Sequence, residues 1–251
     1  SRPFDNSRYS KLLFDRLPAE RNNRFNYASG LAGLGEHRQA AALMSHEALS
    51  KALLSGDWAA AAREAAAMGR HYWDRSRLWN SADLLVRSGH GDVLVRLYDL
   101  SRPLLKSGEV DIDLVALPAT VLALRNAGRV QDARELLAHF ARTNGKLPDK
   151  GLGGTIKRIN LAQIAALSGR NDEALNRLEQ VSRDAPLVLI PIPIMSLYNS
   201  PFYQGLSRDP RLLETDERLR AALNSERQKA GLAPISREAW ISDSKTLLTK
   251  N

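Results

Sequence analysis

The sequence predicts an all-α protein of stacked helical hairpins, closed by a C-terminal capping helix. Three observations predict it. Apolar residues recur at the spacing of one helix face along most of the chain. A glycine turn with similar neighbours returns several times, the mark of a stacked repeat. Aromatic residues are only 6% of the 251 residues while alanine and leucine are abundant, which favours close-packed helices over sheet. No stretch alternates Val, Ile, Thr and aromatic residues as a strand would.

The clearest unit lies at 114–142. Leu114, Leu117, Val121 and Leu124 share one face of a first helix. Pro118 sits in its early turns, where a missing N–H costs least. Asn126-Ala127-Gly128 breaks it, because glycine adopts the left-handed backbone that closes a helix. The pattern resumes at Val130, Ala133, Leu136, Leu137 and Phe140. Neither helix buries its stripe alone, so the pair needs neighbours.

Copies supply them. Gly169-Arg170-Asn171-Asp172-Glu173-Ala174 repeats Gly128-Arg129-Val130-Gln131-Asp132-Ala133, and Leu178 and Val181 continue the apolar face. Gly56-Asp57-Trp58, followed by Ala61, Ala65 and Met68, is a third copy. Gly89-His90-Gly91-Asp92, followed by Leu94 and Tyr98, is a fourth. These glycines are 33 (89 − 56), 39 (128 − 89) and 41 (169 − 128) residues apart. A helical-hairpin repeat has a period of roughly 34 residues, so two copies carry extra loop. Gly35 precedes Gly56 by only 21 residues (56 − 35), so either one helix is shared or Gly35 is not equivalent to the later turns.

These residues resemble the tetratricopeptide repeat, whose second helix opens with a glycine, acid and aromatic turn and carries a small alanine at the close helix contact. Ala61, Ala133 and Ala174 match that alanine, and Asp132 and Glu173 match the acid before it. The aromatic stands only at Trp58, and Leu94 replaces the alanine in the fourth copy. The resemblance covers residues 45–186. It implies a right-handed α-α superhelix whose concave face, lined by the first helix of each hairpin, holds a peptide or partner domain.

Residues 1–44 read as a helical lead-in. Residues 1–16 are polar with scattered aromatics, and Leu17-Pro18-Ala19-Glu20 opens a helix to Leu34 with Phe25, Ala28, Leu31 and Ala32 inward. Residues 36–54 read as helical, and 58–71 as an alanine-rich helix. Tyr72, Trp73 and Trp79 then gather with Arg70, Arg75 and Arg77. They form either a cation–π site or, at Leu78 and Trp79, the apolar face of the next helix. Residues 101–110 read as a long connection, after which Asp111 or Asp113 can cap a helix. Residues 146–154 read as a flexible loop before a helix at 155–168. Its Gly151-Leu152-Gly153-Gly154 run is not a phosphate loop, because it lacks the G-x-x-x-x-G-K-[ST] order and follows no strand.

Residues 187–251 change character, although lead-in, hairpins and tail can equally form one continuous superhelix. The run at 187–194 is apolar but broken by Pro191 and Pro193, too short for a membrane and unfit for a central strand. It is expected to pack over the open end of the stack. Leu206, Asp209, Pro210 and Arg211 then resemble the closing segment of tetratricopeptide tails in bacterial membrane-bound transcription activators and adenylate cyclases, with Leu212 in place of the usual aromatic. Asp209 would cap a helix with Pro210 at its first position, running to Ala230 and Gly231. Such a helix covers the apolar end that a solenoid leaves exposed. A short final helix around Trp240 is expected.

Chemistry is not indicated. The chain has no cysteine, which excludes disulfides, Cys-ligated zinc and a thiol nucleophile. The histidines are His37, His46, His71, His90 and His139, and His46-Glu47 lacks the second histidine of a metalloprotease helix. No serine sits in a G-x-S-x-G elbow. The chain is read as non-enzymatic, with no cofactor and no metal. The net charge of +8 comes mostly from dispersed arginines, either a solvated basic surface or an attraction to nucleic acid, anionic lipid or an acidic partner. The chain opens on Ser1, and a processed or cloned fragment of a longer bacterial protein is expected.

The expected function is a non-catalytic protein-interaction or sensory module that binds a protein or peptide. A membrane enters only through a missing segment of the full-length protein, the extracytoplasmic side is favoured slightly, and oligomerisation is left open. The concave face would present Trp79, Asp83, Arg87, Leu122, Arg125, Asn126 and Gln163. The alternative is an RNA-binding helical repeat of the pentatricopeptide type, which needs a near-constant period because each repeat reads one base. Spacings of 33, 39 and 41 break that register. A helical-toroid scaffold of a lytic enzyme, with its catalytic domain elsewhere, is a third reading.

Overall fold

The computed structural model describes residues 11, 15, 21–44, 47–73, 81–107, 112, 114–190 and 196–242. Among the described residues every regular element is helical and no strand occurs. The front half contains α1 (Arg21–Gly33), α2 (His37–Leu43), α3 (Ala48–Leu54), α4 (Trp58–Met68), α5 (Ser81–Arg87) and α6 (Gly91–Ser107). The back half contains α7 (Leu117–Asn126), α8 (Val130–Gly145), α9 (Gly151–Leu167), α10 (Asn171–Asp184), α11 (Pro186–Leu189), α12 (Pro210–Lys229) and α13 (Arg237–Ile241). Short 3-10 turns lie at Gly69–Tyr72, Leu197–Asn199 and Gln204–Leu206.

One turn builds the hairpins. Gly35, Gly56, Gly89, Gly128 and Gly169 all have φ between 68° and 86°. The N–H of the residue after each returns to a carbonyl near the end of the preceding helix: Glu36 to Leu31, Asp57 to Ala52, His90 to Leu85, Arg129 to Leu124 and Arg170 to Ala165, all at 2.8–2.9 Å. This bond satisfies carbonyls that a helix end leaves orphaned, and the left-handed glycine makes it reachable. Gly35 is therefore a turn of the same kind as the other four. Its short spacing to Gly56 arises because α2 and α3 have seven residues each. Residues 36–54 are thus two helices and not one.

The hairpins pack in order. α1 lies on α2, α3 on α4, α5 on α6, α7 on α8 and α9 on α10. Neighbouring pairs meet through α2 on α3, α4 on α5 and α6, α6 on α7, and α8 on α9, while α7 touches both α5 and α9. The residue five places after each turn glycine (Ala40, Ala61, Leu94, Ala133 and Ala174) has no solvent exposure. A leucine at Ala133 or Ala174 adds about three methylene-sized groups where no space exists. Each of Ala133→Leu and Ala174→Leu is expected to destabilise the protein by about 1–3 kcal/mol through overpacking. Thermal denaturation checks this, and unchanged melting would show that these positions tolerate bulk.

Two expected loops are helical. Residues 101–107 belong to α6, with Pro103 inside it, and are not a connection. Tertiary contact holds that turn: the Trp73 indole N–H donates to Ser101 Oγ at 2.7 Å, and both residues are buried. Residues 151–154 are the first turn of α9 and not the end of a flexible loop. A Cβ on Gly153 would collide with the Pro148 ring and one on Gly154 with the Asp149 carbonyl, so glycine lets the helix begin tight against the preceding turn. Lys157 Nζ closes the turn on Asp149 Oδ1 at 2.8 Å and the Leu147 carbonyl at 3.1 Å. Behind it Asn160 Nδ2 donates to Asn144 Oδ1 at 2.9 Å, a buried pair between α9 and α8.

Pro118 is at the very start of α7, as its missing donor requires. The helix start proposed at Leu17-Pro18, the caps at Asp111 and Asp113, the cluster at Arg75, Arg77 and Trp79, and residues 191–195 lie outside the described residues.

Candidate functional site

Helices α5, α7 and α9 carry the described residues expected on a binding face. Asn126 is exposed, and Leu122, Arg87 and Gln163 are half-buried. Arg125 donates to the Leu167 carbonyl at the end of α9. It therefore ties the last turn of α7 to the last turn of α9 and satisfies an orphaned carbonyl there. Trp79 lies outside the described residues. Asn126 is thus open to solvent, Arg87, Leu122 and Gln163 are partly open, and Arg125 is an internal brace.

Asp83 is buried, and its Oδ1 has no hydrogen-bond partner. Burial pushes its pKa from 3.8 up to about 8, so the carboxyl is protonated and uncharged at neutral pH. Nearby phenols feel it. Burial raises the Tyr72 and Tyr203 hydroxyls above their ordinary range, and proximity to Asp83 pushes each further up. Tyr72 also meets the Ser81 hydroxyl at 2.9 Å and packs edge-on to Trp73 at 5.3 Å. A neutral carboxyl offers a hydrogen bond but no ion pair.

Tyr203 lies within reach of the Asp83 charge. It comes from the C-terminal tail, more than a hundred residues along the chain, so the tail folds back toward α5. Its anchor is Asp216 on α12. Asp216 Oδ1 accepts from the Leu197 N–H at 2.7 Å, and Oδ2 accepts from Ser196 Oγ and the Trp240 indole N–H, each at 2.7 Å. One carboxylate thereby joins the 3-10 turn at Leu197–Asn199, α12 and α13. Burial raises the Asp216 pKa, and these three donors oppose the shift.

α12 is set as Asp209-Pro210 directs. Asp209 Oδ1 accepts from the Arg211 N–H at 2.9 Å, Pro210 takes the first helical position, and Gly231 closes the far end at φ 72°. Along its length α12 packs on α10 and α11. Arg211 pairs with Asp172 at 2.6 Å, and Arg218 donates to Ser182 Oγ at 3.1 Å. At its end Arg227 turns to the opposite end of the chain, donating to the Leu34 carbonyl and standing 3.3 Å from Glu36. The closing helix therefore does more than cover α10: it connects the last hairpin to the first.

Tyr203, Asp216 and Arg227 were not among the residues expected from the sequence. Nothing local distinguishes them, since each acquires its partner only through long-range closure. Asp216, which directly follows Leu213-Glu214-Thr215, is an ordinary helix residue until Trp240 is folded against it. Among the described residues no group of three His, Asp or Glu side chains could hold a metal ion, and no helix is long and apolar enough to cross a membrane. No family model, curated protein or solved structure matches the chain.

Proposed function

We propose that the chain is a non-catalytic protein-interaction or sensory module, a tetratricopeptide-like superhelix within a larger bacterial protein, that holds a protein or peptide against α5, α7 and α9. The fivefold recurrence of one glycine turn with one fully buried residue five places later carries this reading. A stack built from one repeated unit presents equivalent helices side by side, and α7 touches both of its inner neighbours. Leu122, Asn126 and Gln163 offer apolar and amide contacts there, and Asp83 is buried away from a partner. The chemistry suits an extended polar peptide more than a strongly basic one.

The net charge of +8 favours the second reading, an RNA-binding helical repeat. The arginines argue against it. Arg102 pairs with Asp132, Arg129 with Asp99, Arg158 with Asp184, Arg170 with Glu173 and Arg218 with Glu214, at 2.6–3.1 Å. Guanidinium groups bound to carboxylates are poorly placed to neutralise phosphates.

Affinity capture from bacterial lysate, with and without ribonuclease, tests the two. Protein retention is expected to survive ribonuclease and to fall about tenfold or more with Leu122→Glu or Gln163→Arg, the loss of roughly one anchor contact. Recovery dominated by RNA, unaffected by either substitution, would overturn the proposal.

A further inference from the structure

We propose that the contact between the N-terminal hairpin and the end of α12 is an acid-released clasp, with His37 as its trigger. Arg227 is 6% exposed and bridges 193 residues of chain, donating to the Leu34 carbonyl while facing Glu36 Oε1 at 3.3 Å. Its Nε donates to the Ala233 carbonyl at 2.7 Å, which fixes the guanidinium in place. His37, the first residue of α2, is 4% exposed, and its Nδ1 has no hydrogen-bond partner. A buried imidazole beside a fixed guanidinium is stable only when neutral.

The surrounding charges do not offset a proton there. α1 carries Arg24, α2 carries Arg38, and α3 carries Lys51 with Glu47 at its cap, and Arg227 is the charge whose field reaches His37. α12 contributes Glu226, Arg227 and Lys229. Glu226 is bonded by Lys229 at 2.5 Å and Glu47 by the Ser50 hydroxyl at 3.2 Å, so Glu36 is the acid that meets Arg227. Burial first, and the Arg227 charge second, lower the His37 pKa from 6.5 to about 4.

The sign follows. The closed form binds the proton more weakly than the open form, in which His37 regains its ordinary pKa. The clasp is therefore at full strength above pH 6.5 and loses stability as pH falls from 6.5 toward 4. The opening equilibrium constant is expected to rise roughly fifty- to one-hundred-fold between pH 7.5 and 4.5. Release is confined to the end of α12, because Asp216, Ser196 and Trp240 hold the remainder of the tail. Asp83 acts in the opposite direction and at another place: its raised pKa favours its buried state at low pH.

The chain has no cysteine, so Ala42→Cys on α2 and Gln228→Cys on α12, both exposed, can be spin-labelled as a unique pair. One inter-label distance is expected at pH 7.5, with a longer second population at pH 4.5 that disappears on return to neutrality. His37→Gln and His37→Leu should each keep one distance across this range. Parent-like pH profiles in the His37 variants, or loss of helical circular dichroism in the same step as the distance change, would overturn the clasp. If neither variant folds, NMR titration of His37 in the parent decides: a pKa below about 5 supports the clasp, and an unshifted value near 6.5 refutes it.

Discussion

Deletion of residues 207–251 is expected to produce a protein that associates on size-exclusion chromatography and melts at a markedly lower temperature. The deletion removes Leu212, Leu219, Leu223, Ile235 and Trp240, all buried in the intact chain. Large apolar side chains are worth roughly 1.5–3 kcal/mol each on full burial, so the loss is on the order of 10 kcal/mol as an upper bound. That is comparable with the whole stability of an ordinary domain. The partner surfaces remain, and they are apolar. α10 presents Leu175, Leu178 and Val181, with Ile164 and Leu161 of α9 beneath, and Phe202, Tyr203 and Leu206 lose their cover. An apolar patch of this kind is sticky, and a second copy is the nearest surface able to cover it. The deletion also strips Arg227 from the Leu34 carbonyl and frees the first hairpin. Asp209→Ala alone, which removes one side-chain cap, is expected to cost only about 0.5–2 kcal/mol. A deletion that elutes and melts like the parent would make the tail a separate appendage.

What the sequence makes legible here is local chemistry. Glycine is nearly alone in tolerating a left-handed backbone, so Gly56, Gly89, Gly128 and Gly169 announce the hairpin ends directly. Asp209, Pro210 and Gly231 announce α12 in the same way. Periodicity locates the buried stripe of α8 at Ala133, Leu136 and Phe140, while Val130, expected on the same face, is exposed at the first turn. Where packing competes with local preference, the reading fails. Pro103 and the Gly151–Gly154 run look like breaks, yet the Trp73–Ser101 bond and the close approach of Pro148 and Asp149 make both stretches helical. The candidate site shows the same division. That Asp83, Arg125 and Gln163 lie on the first helix of their hairpins follows from the position of the turn glycines. That Asp83 is buried near Tyr203, and that Arg125 is spent on the Leu167 carbonyl, follows only from contacts between distant segments.

Asp216→Ala is expected to lower stability by about 3–5 kcal/mol and to release α13 from α12. The magnitude comes from what it strands. The Leu197 N–H, the Ser196 hydroxyl and the Trp240 indole N–H all donate to this one carboxylate, and all three residues are buried. A buried donor without an acceptor costs roughly 1–3 kcal/mol, and the serine can rotate to a new partner while the amide and indole cannot. Asp216→Asn separates geometry from chemistry. It preserves shape, and its oxygen can still accept from Leu197. Its amide then confronts the Trp240 N–H donor to donor, so a loss close to that of alanine is expected. Trp240→Phe in the Asp216→Asn background removes the offending donor and should restore part of that loss, a coupling of about 1–2 kcal/mol in a double-mutant cycle. Hydrogen exchange of the Leu197 and Trp240 amides reports the same event locally, with protection falling at both sites together. Additive effects of the two substitutions, with protection at Leu197 unchanged, would show that Asp216 does not hold the three elements as one unit. The tail would then owe its position to Leu212, Leu219 and Leu223 alone.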